Sequence, residues 1–154
     1  MKKTSYTFLF MFLASMAISQ TTDDYIEIMR SVLKTEKKAT IAEVMTLTET
    51  EAELFWPLYN EFNEKMYVIQ SKRVKIIKDF AENYENMTDE KADEIWISYM
   101  AYKQEANKLT KTYYKKFKKI IPAGKAAKYF QAENKIATLV DFQLASEIPF
   151  IESK

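Results

Sequence analysis

The chain has 154 residues, 23 basic against 22 acidic, with no histidine, no cysteine and a single glycine. Those absences exclude serine–histidine and cysteine–histidine catalysis, zinc sites built on nitrogen and sulfur, and the Glu-x-x-His pairs of di-metal helical bundles. One glycine leaves no phosphate-cradling loop, and a near-neutral charge argues against a nucleic-acid partner.

Lys2-Lys3, an apolar run from Phe8 to Ile18, and small residues at Ala17 and Ser19 read as a secretory signal peptide over residues 1–19. The run is shorter than the roughly 20 residues that cross a bilayer, so stable membrane insertion is not expected. Cleavage after Ser19 removes Lys2 and Lys3 and takes the net charge from +1 to −1. Residues 20–154 are expected to be one exported all-helical domain, periplasmic or secreted. Lacking cysteine, that domain has no disulfide staples and must be held by its core, for which its seven Phe, nine Tyr and two Trp provide the bulk.

Thr21 to Asp24 offer caps for a first helix, in which Tyr25, Ile28, Met29, Val32 and Leu33 form an apolar stripe. It is expected to run to about Met45, with a break possible in the all-polar stretch Lys34 to Lys38. The second helix is expected from Thr48 to about Tyr84, since Phe62, Met66, Ile69, Arg73, Ile76, Ile77 and Phe80 keep the helical period. Pro57 lies inside it and removes a backbone donor, which predicts a bend over Glu53 to Pro57. Ala81 to Met87 is a short link, so the third helix, from Thr88 through Ile120, should fold back as an antiparallel hairpin. Pro122 ends that helix and opens a fourth, with Gly124 in its first turn and Ala126, Tyr129, Phe130, Ile136, Leu139, Val140 and Leu144 helically spaced. From about Glu147, Ile148-Pro149-Phe150-Ile151 reads as an extended apolar tail. The fold class is all-α: four long antiparallel helices in a thin, curved bundle with a proline-bent second helix.

The second and third helices open alike. Leu47-Thr48-Glu49-Thr50-Glu51-Ala52-Glu53-Leu54-Phe55-Trp56-Pro57-Leu58-Tyr59 returns as Met87-Thr88-Asp89-Glu90-Lys91-Ala92-Asp93-Glu94-Ile95-Trp96-Ile97-Ser98-Tyr99. Thr48 with Glu51 makes a capping box; Thr88 caps again, but Lys91 stands where the box wants an acid. Beyond each cap, Ala52, Phe55, Trp56 and Tyr59, and then Ala92, Ile95, Trp96 and Tyr99, follow the spacing of one helical face. Both tryptophans are therefore expected in the core, Trp96 on a buried stripe with Tyr113 and Phe117.

Charge is unevenly distributed. Six acids and no base lie between Glu43 and Glu64, whereas nine lysines accompany the single Glu105 between Lys103 and Lys128. On the third helix Met100, Lys111, Tyr114, Lys118 and Ile121 share a flank, with Lys115 beside it. Such a basic and apolar flank can hold acidic, unfolded or amphipathic segments. The alternative is that the lysines solvate an exposed face and neutralise the acidic helix next to them. Glu61 and Glu64, one turn apart, could share a hard cation, although exposed acids at that spacing are ordinary. No metal or cofactor is expected, and no enzymatic activity.

The paired Leu-Thr-x-x-Glu and Met-Thr-x-x-Lys openings resemble the Leu-Thr-x-x-Gln repeats of the Spy/CpxP family of periplasmic proteins, with Glu51 and Lys91 replacing the glutamine. Glu51 to Tyr59, Ile121 to Ile136 and Ile148-Pro149-Phe150 also look like a group of secreted bacterial proteins without an established activity. The resemblance implies a Gram-negative cell envelope and a helical bundle that dimerises and either shields unfolded clients as an ATP-independent holdase chaperone or adapts an envelope-stress sensor. The alternative is a structural or signalling subunit that binds one envelope partner through its apolar tail.

Overall fold

A computed structural model describes residue 30 and residues 33–151. The expected signal peptide, the caps at Thr21 to Asp24 and the stripe residues Tyr25, Ile28, Met29 and Val32 lie outside the described residues. The protein is all-α, and among the described residues there is no strand. Helix α1 (33–45) is followed by α2 (Glu49–Asn83), a 3-10 turn (Tyr84–Asn86), α3 (Asp89–Phe117) and α4 (Ala123–Glu147). The chain divides into two compact units between Val44 and Met45. In the first, α1 passes unbroken through the polar stretch Lys34 to Lys38.

The second unit is set by the two threonine caps. Thr48 Oγ1 accepts the Glu51 N–H at 3.3 Å, and the Glu51 carboxylate accepts the Thr48 N–H at 2.9 Å, closing the capping box. Thr88 Oγ1 accepts the Lys91 N–H at 3.2 Å without a reciprocal bond. In each copy the third helical residue does a second job. Glu51 also takes the Lys125 ammonium from α4, and Lys91 reaches Asp79 on α2 at 2.8 Å. The two departures from glutamine thus place a charge that ties each helix start to a neighbouring helix.

Before the first cap, Thr46 takes φ 43°, a left-handed conformation that is uncommon for a β-branched residue and lets the chain turn into α2 within three residues. Helix α2 then runs through Pro57 without interruption, so Glu53 to Pro57 belong to one continuous helix. Glu53, whose carbonyl loses its donor at Pro57, is exposed along with the proline, and water can satisfy that carbonyl.

Side-chain pairs fix the register of the three helices. Glu61 meets Lys116 and Tyr113, Lys72 meets Glu105, and Asp79 meets Lys91, so α2 and α3 run antiparallel. Phe117 meets Tyr129, Tyr114 meets Phe130, and Lys103 meets Asp141, so α3 and α4 are antiparallel as well. Helix α4 therefore lies parallel to α2, joined to it by Glu51–Lys125 at one end and by Arg73–Asp141, at 2.6 Å, further along.

Between those ends sits an aromatic core. Phe55, Phe117 and Tyr129, one from each helix and all fully buried, form a triangle with ring centroids 5.2, 5.1 and 4.7 Å apart. Tyr59, Phe62 and Tyr113 extend it, and Ile69, Phe80, Ile95 and Tyr102 continue it along the α2–α3 hairpin. On α2 the buried positions 55, 59, 62, 69 and 80 all fall on one seam of alternating four- and three-residue steps, with the intervening seam positions 66, 73 and 76 half-buried, the period of helices packed nearly side by side.

The two tryptophans do not behave alike. Trp56 is half-buried, edge-on to Phe55 and Tyr59 at 5.1 and 5.2 Å. Trp96 is 59 % exposed, with only the Tyr99 ring beside it among the described residues, so the expected buried stripe of Trp96, Tyr113 and Phe117 is corrected to one led by Ile95. Position 96 is one residue, about 100° of helix, away from Ile95 on the buried side. The corresponding step from Phe55 to Trp56 leaves Trp56 half-buried against the Phe55 and Tyr59 rings.

Candidate interaction surface on the third helix

Helix α3 has two unlike sides. Toward its neighbours it presents Ile95, Tyr102, Tyr113 and Phe117, all buried. On the other side Trp96 and Ile97 are each 59 % exposed and Met100 is 53 % exposed, followed along the helix by lysines at 108, 111 and 115. Three large apolar side chains in water within five residues form an amphiphilic strip, which is a feature of interaction surfaces more than of solvated helix faces.

The flank residues expected from the sequence divide between the two sides. Met100, Lys111, Lys115 and Lys118 are exposed and remain candidates. Tyr114 is half-buried, edge-on to Phe130 at 5.7 Å, and carries the Lys118 ammonium 5.0 Å above its ring, so it supports the strip from beneath. Ile121 is 5 % exposed and is removed from the candidate flank. The helix has ended at Phe117, and the reversing chain turns Ile121 inward, its N–H bonded to the Phe117 carbonyl at 3.0 Å. Trp96 and Ile97 were not in the expected site. The sequence signal for Ile97 is that it falls on neither the Ile95 side nor the Tyr99 side.

The reading in which lysines neutralise the neighbouring acidic helix holds for some of them. Lys116 binds Glu61 at 3.2 Å and Lys125 binds Glu51, so these lysines do neutralise the acidic second helix. Lys103 faces Asp141 at 3.7 Å. On the outer side of α3, Lys108, Lys111 and Lys115 make no ion pair among the described residues.

No relative emerges. Comparison with known families, curated proteins and solved structures gives no match. The likeness to Spy/CpxP repeats therefore stays with the residues that carry it.

Glu61 is engaged elsewhere than in a cation site. Its Oε1 accepts the Tyr113 hydroxyl at 2.5 Å, Lys65 at 3.0 Å and Lys116 at 3.2 Å. Among the described residues no group of three acids could hold a metal ion. The Tyr113 hydrogen bond, then those from Lys65 and Lys116, hold the Glu61 carboxyl at a pKa of about 2, below its ordinary 4.5. Because the folded value is the lower one, the stabilisation is complete above about pH 4.5 and is lost as pH falls toward 2. Denaturant midpoints compared at pH 7 and pH 3 should fall less in Glu61→Gln than in the parent, and equal falls would contradict the assignment.

The core also holds a buried phenol pair. Burial first, and the nearby Glu133 carboxylate second, push the Tyr59 and Tyr129 hydroxyls well above the ordinary tyrosine range.

No helix among the described residues is long and apolar enough to cross a membrane. The tail beyond α4 is extended, with Phe150 95 % exposed.

Proposed function

We propose that this chain is an exported helical protein-binding module, an ATP-independent periplasmic holdase or envelope-stress adaptor, that uses the outer side of α3. The carrying observation is the exposure of Trp96, Ile97 and Met100 next to lysines that make no ion pair among the described residues. A side chain such as Trp96 supplies apolar area at small conformational cost, and the lysines steer acidic segments toward it. The segment bound is thus an unfolded or amphipathic stretch carrying both carboxylates and apolar side chains. Aggregation of an unfolded acidic protein should be suppressed by the parent chain and no longer by Trp96→Ser combined with Met100→Ser and Lys118→Glu. Suppression should weaken as salt is raised, since exposed charges are screened beyond about 8 Å at physiological ionic strength. Lys128→Glu with Lys135→Glu, on α4, is the control for charge alone. Undiminished protection by the α3 variant would refute the assignment.

The second reading, a subunit that binds one envelope partner through its tail, rests on Phe150 and Ile151 standing exposed past the end of α4. Truncation after Glu147 separates the two: it should leave client protection intact if α3 is the site.

A further inference from the structure

The apolar end of the α3 strip lies where α4 gives out. Trp96 precedes Tyr114 by eighteen residues, about five whole helical turns, and so lies on the same flank of α3 as Tyr114, whose ring meets Phe130 of α4. Lys103 and Asp141 meet across the two helices at 3.7 Å. Trp96 is seven residues before Lys103 and Ile148 is seven residues after Asp141, so in this antiparallel pair the end of α4 comes level with Trp96. The Ile148 N–H is bonded to the Leu144 carbonyl at 3.0 Å, and from there Ile148-Pro149-Phe150-Ile151 leaves α4 as extended chain. Phe150 is 95 % exposed, with no ring beside it among the described residues. Apolar side chains near the start of one helix and in the tail of its neighbour thus stand in water at the same level of the bundle.

We propose that the tail is an intramolecular strap: Phe150 and Ile151 fold back over Trp96 and Met100 and compete with the client segment for the apolar end of the strip. This strap rests on the reading of α3 as a client surface and regulates that same surface. Reach is sufficient, since packed helices lie about 8–10 Å apart and three extended residues span roughly 10 Å. Direction is partly set in advance. Ile148 precedes a proline and is held extended, at φ −89° and ψ 118°, and the Pro149 ring fixes its own φ, so closure needs rotation about few bonds and loses little entropy. Composition agrees. An extended apolar run between Glu147 and Glu152 is itself the kind of stretch, carboxylates with apolar side chains, that the strip is read as binding. The lysines at 108, 111 and 115 begin about 18 Å along the helix from Trp96, beyond Ile151, so closure covers apolar surface and leaves the steering charges open. A short tether holds the tail at an effective concentration of millimolar order, enough to close a weak two-residue contact part of the time and to yield to a client that also engages the lysines.

The test exploits the absence of cysteine from the parent. Under mild oxidation Met100→Cys/Ile151→Cys should cross-link within one chain about tenfold or more faster than Lys135→Cys/Ile151→Cys, whose first site is exposed on α4 roughly 18 Å before its end. Once oxidised, the first pair should bind a labelled synthetic peptide rich in Glu and Phe far more weakly than when reduced. In cysteine-free chains Phe150→Ser should tighten binding of the same peptide about 2–10-fold, with the salt dependence unchanged because the lysines are not covered. Equal cross-linking of the two pairs, cross-links between chains in place of within them, or a Phe150→Ser affinity no tighter than the parent's would each overturn the strap. The client reading is separable. If Trp96→Ser/Met100→Ser/Lys118→Glu weakens peptide binding while Phe150→Ser leaves it unchanged, only the strap falls; if that triple variant binds as the parent does, the α3 assignment falls and the strap with it.

Discussion

Phe117→Ala should destabilise the protein by about 3–5 kcal/mol, whereas Trp96→Ala should cost less than about 1 kcal/mol. Phe117 is fully buried where the three helices of the second unit meet, with Phe55, Tyr129 and Phe130 rings within 5.7 Å of its own. Truncating it removes ring contacts to two other helices and leaves a cavity that rigid neighbours on three sides cannot fill. Trp96 has one ring neighbour among the described residues and is mostly in water, and alanine's higher helix propensity offsets part of what its removal loses. Denaturant unfolding of the two variants, at matched slope, measures both. Equal large losses would put Trp96 back in the core.

The second large effect is at the first cap. Thr48→Ala should cost about 1–2 kcal/mol and Thr88→Ala about 0.5–1 kcal/mol, although both hydroxyls accept the same bond. At Thr48 the capping box is reciprocal, and the glutamate that closes it also holds Lys125 of α4, so losing the threonine loosens a tie between helices as well as a helix end. At Thr88 the third residue is a lysine whose partner is Asp79, and that pair does not depend on the cap. Thermal unfolding of the two single variants should rank them in this order.

Helix limits were legible because caps and prolines are local. Thr48, Thr88 and Pro122 each stand immediately before a helix, and the third helix stops at Phe117, slightly short of the expected Ile120. The core of α2 was legible for a similar reason: its apolar residues repeat along the helix, although Leu54, Tyr67 and Val68 stand exposed off that seam. On α3 the same reasoning failed, because aromatics occupy more than one face, and adjacent positions such as Ile95 and Trp96 are separated only by where the neighbouring helices lie. Repeat symmetry misled there. It predicts equal environments for Trp56 and Trp96, but Trp56 is half-buried and Trp96 is exposed. Which lysines remain unpaired was also beyond the sequence, since Lys115 and Lys116 are neighbours in the chain and only the second reaches Glu61.

Fluorescence of Trp96 tests the central claim, that the outer side of α3 is a protein-binding surface, most directly. In a Trp56→Phe protein Trp96 is the sole indole, and with 59 % of it exposed it should emit as a solvated ring and be quenched readily by acrylamide. Adding an unfolded acidic client should shift the emission to the blue and protect it from the quencher, with the shift reversed by salt. A client that binds while the emission and quenching of Trp96 stay unchanged would contradict the claim.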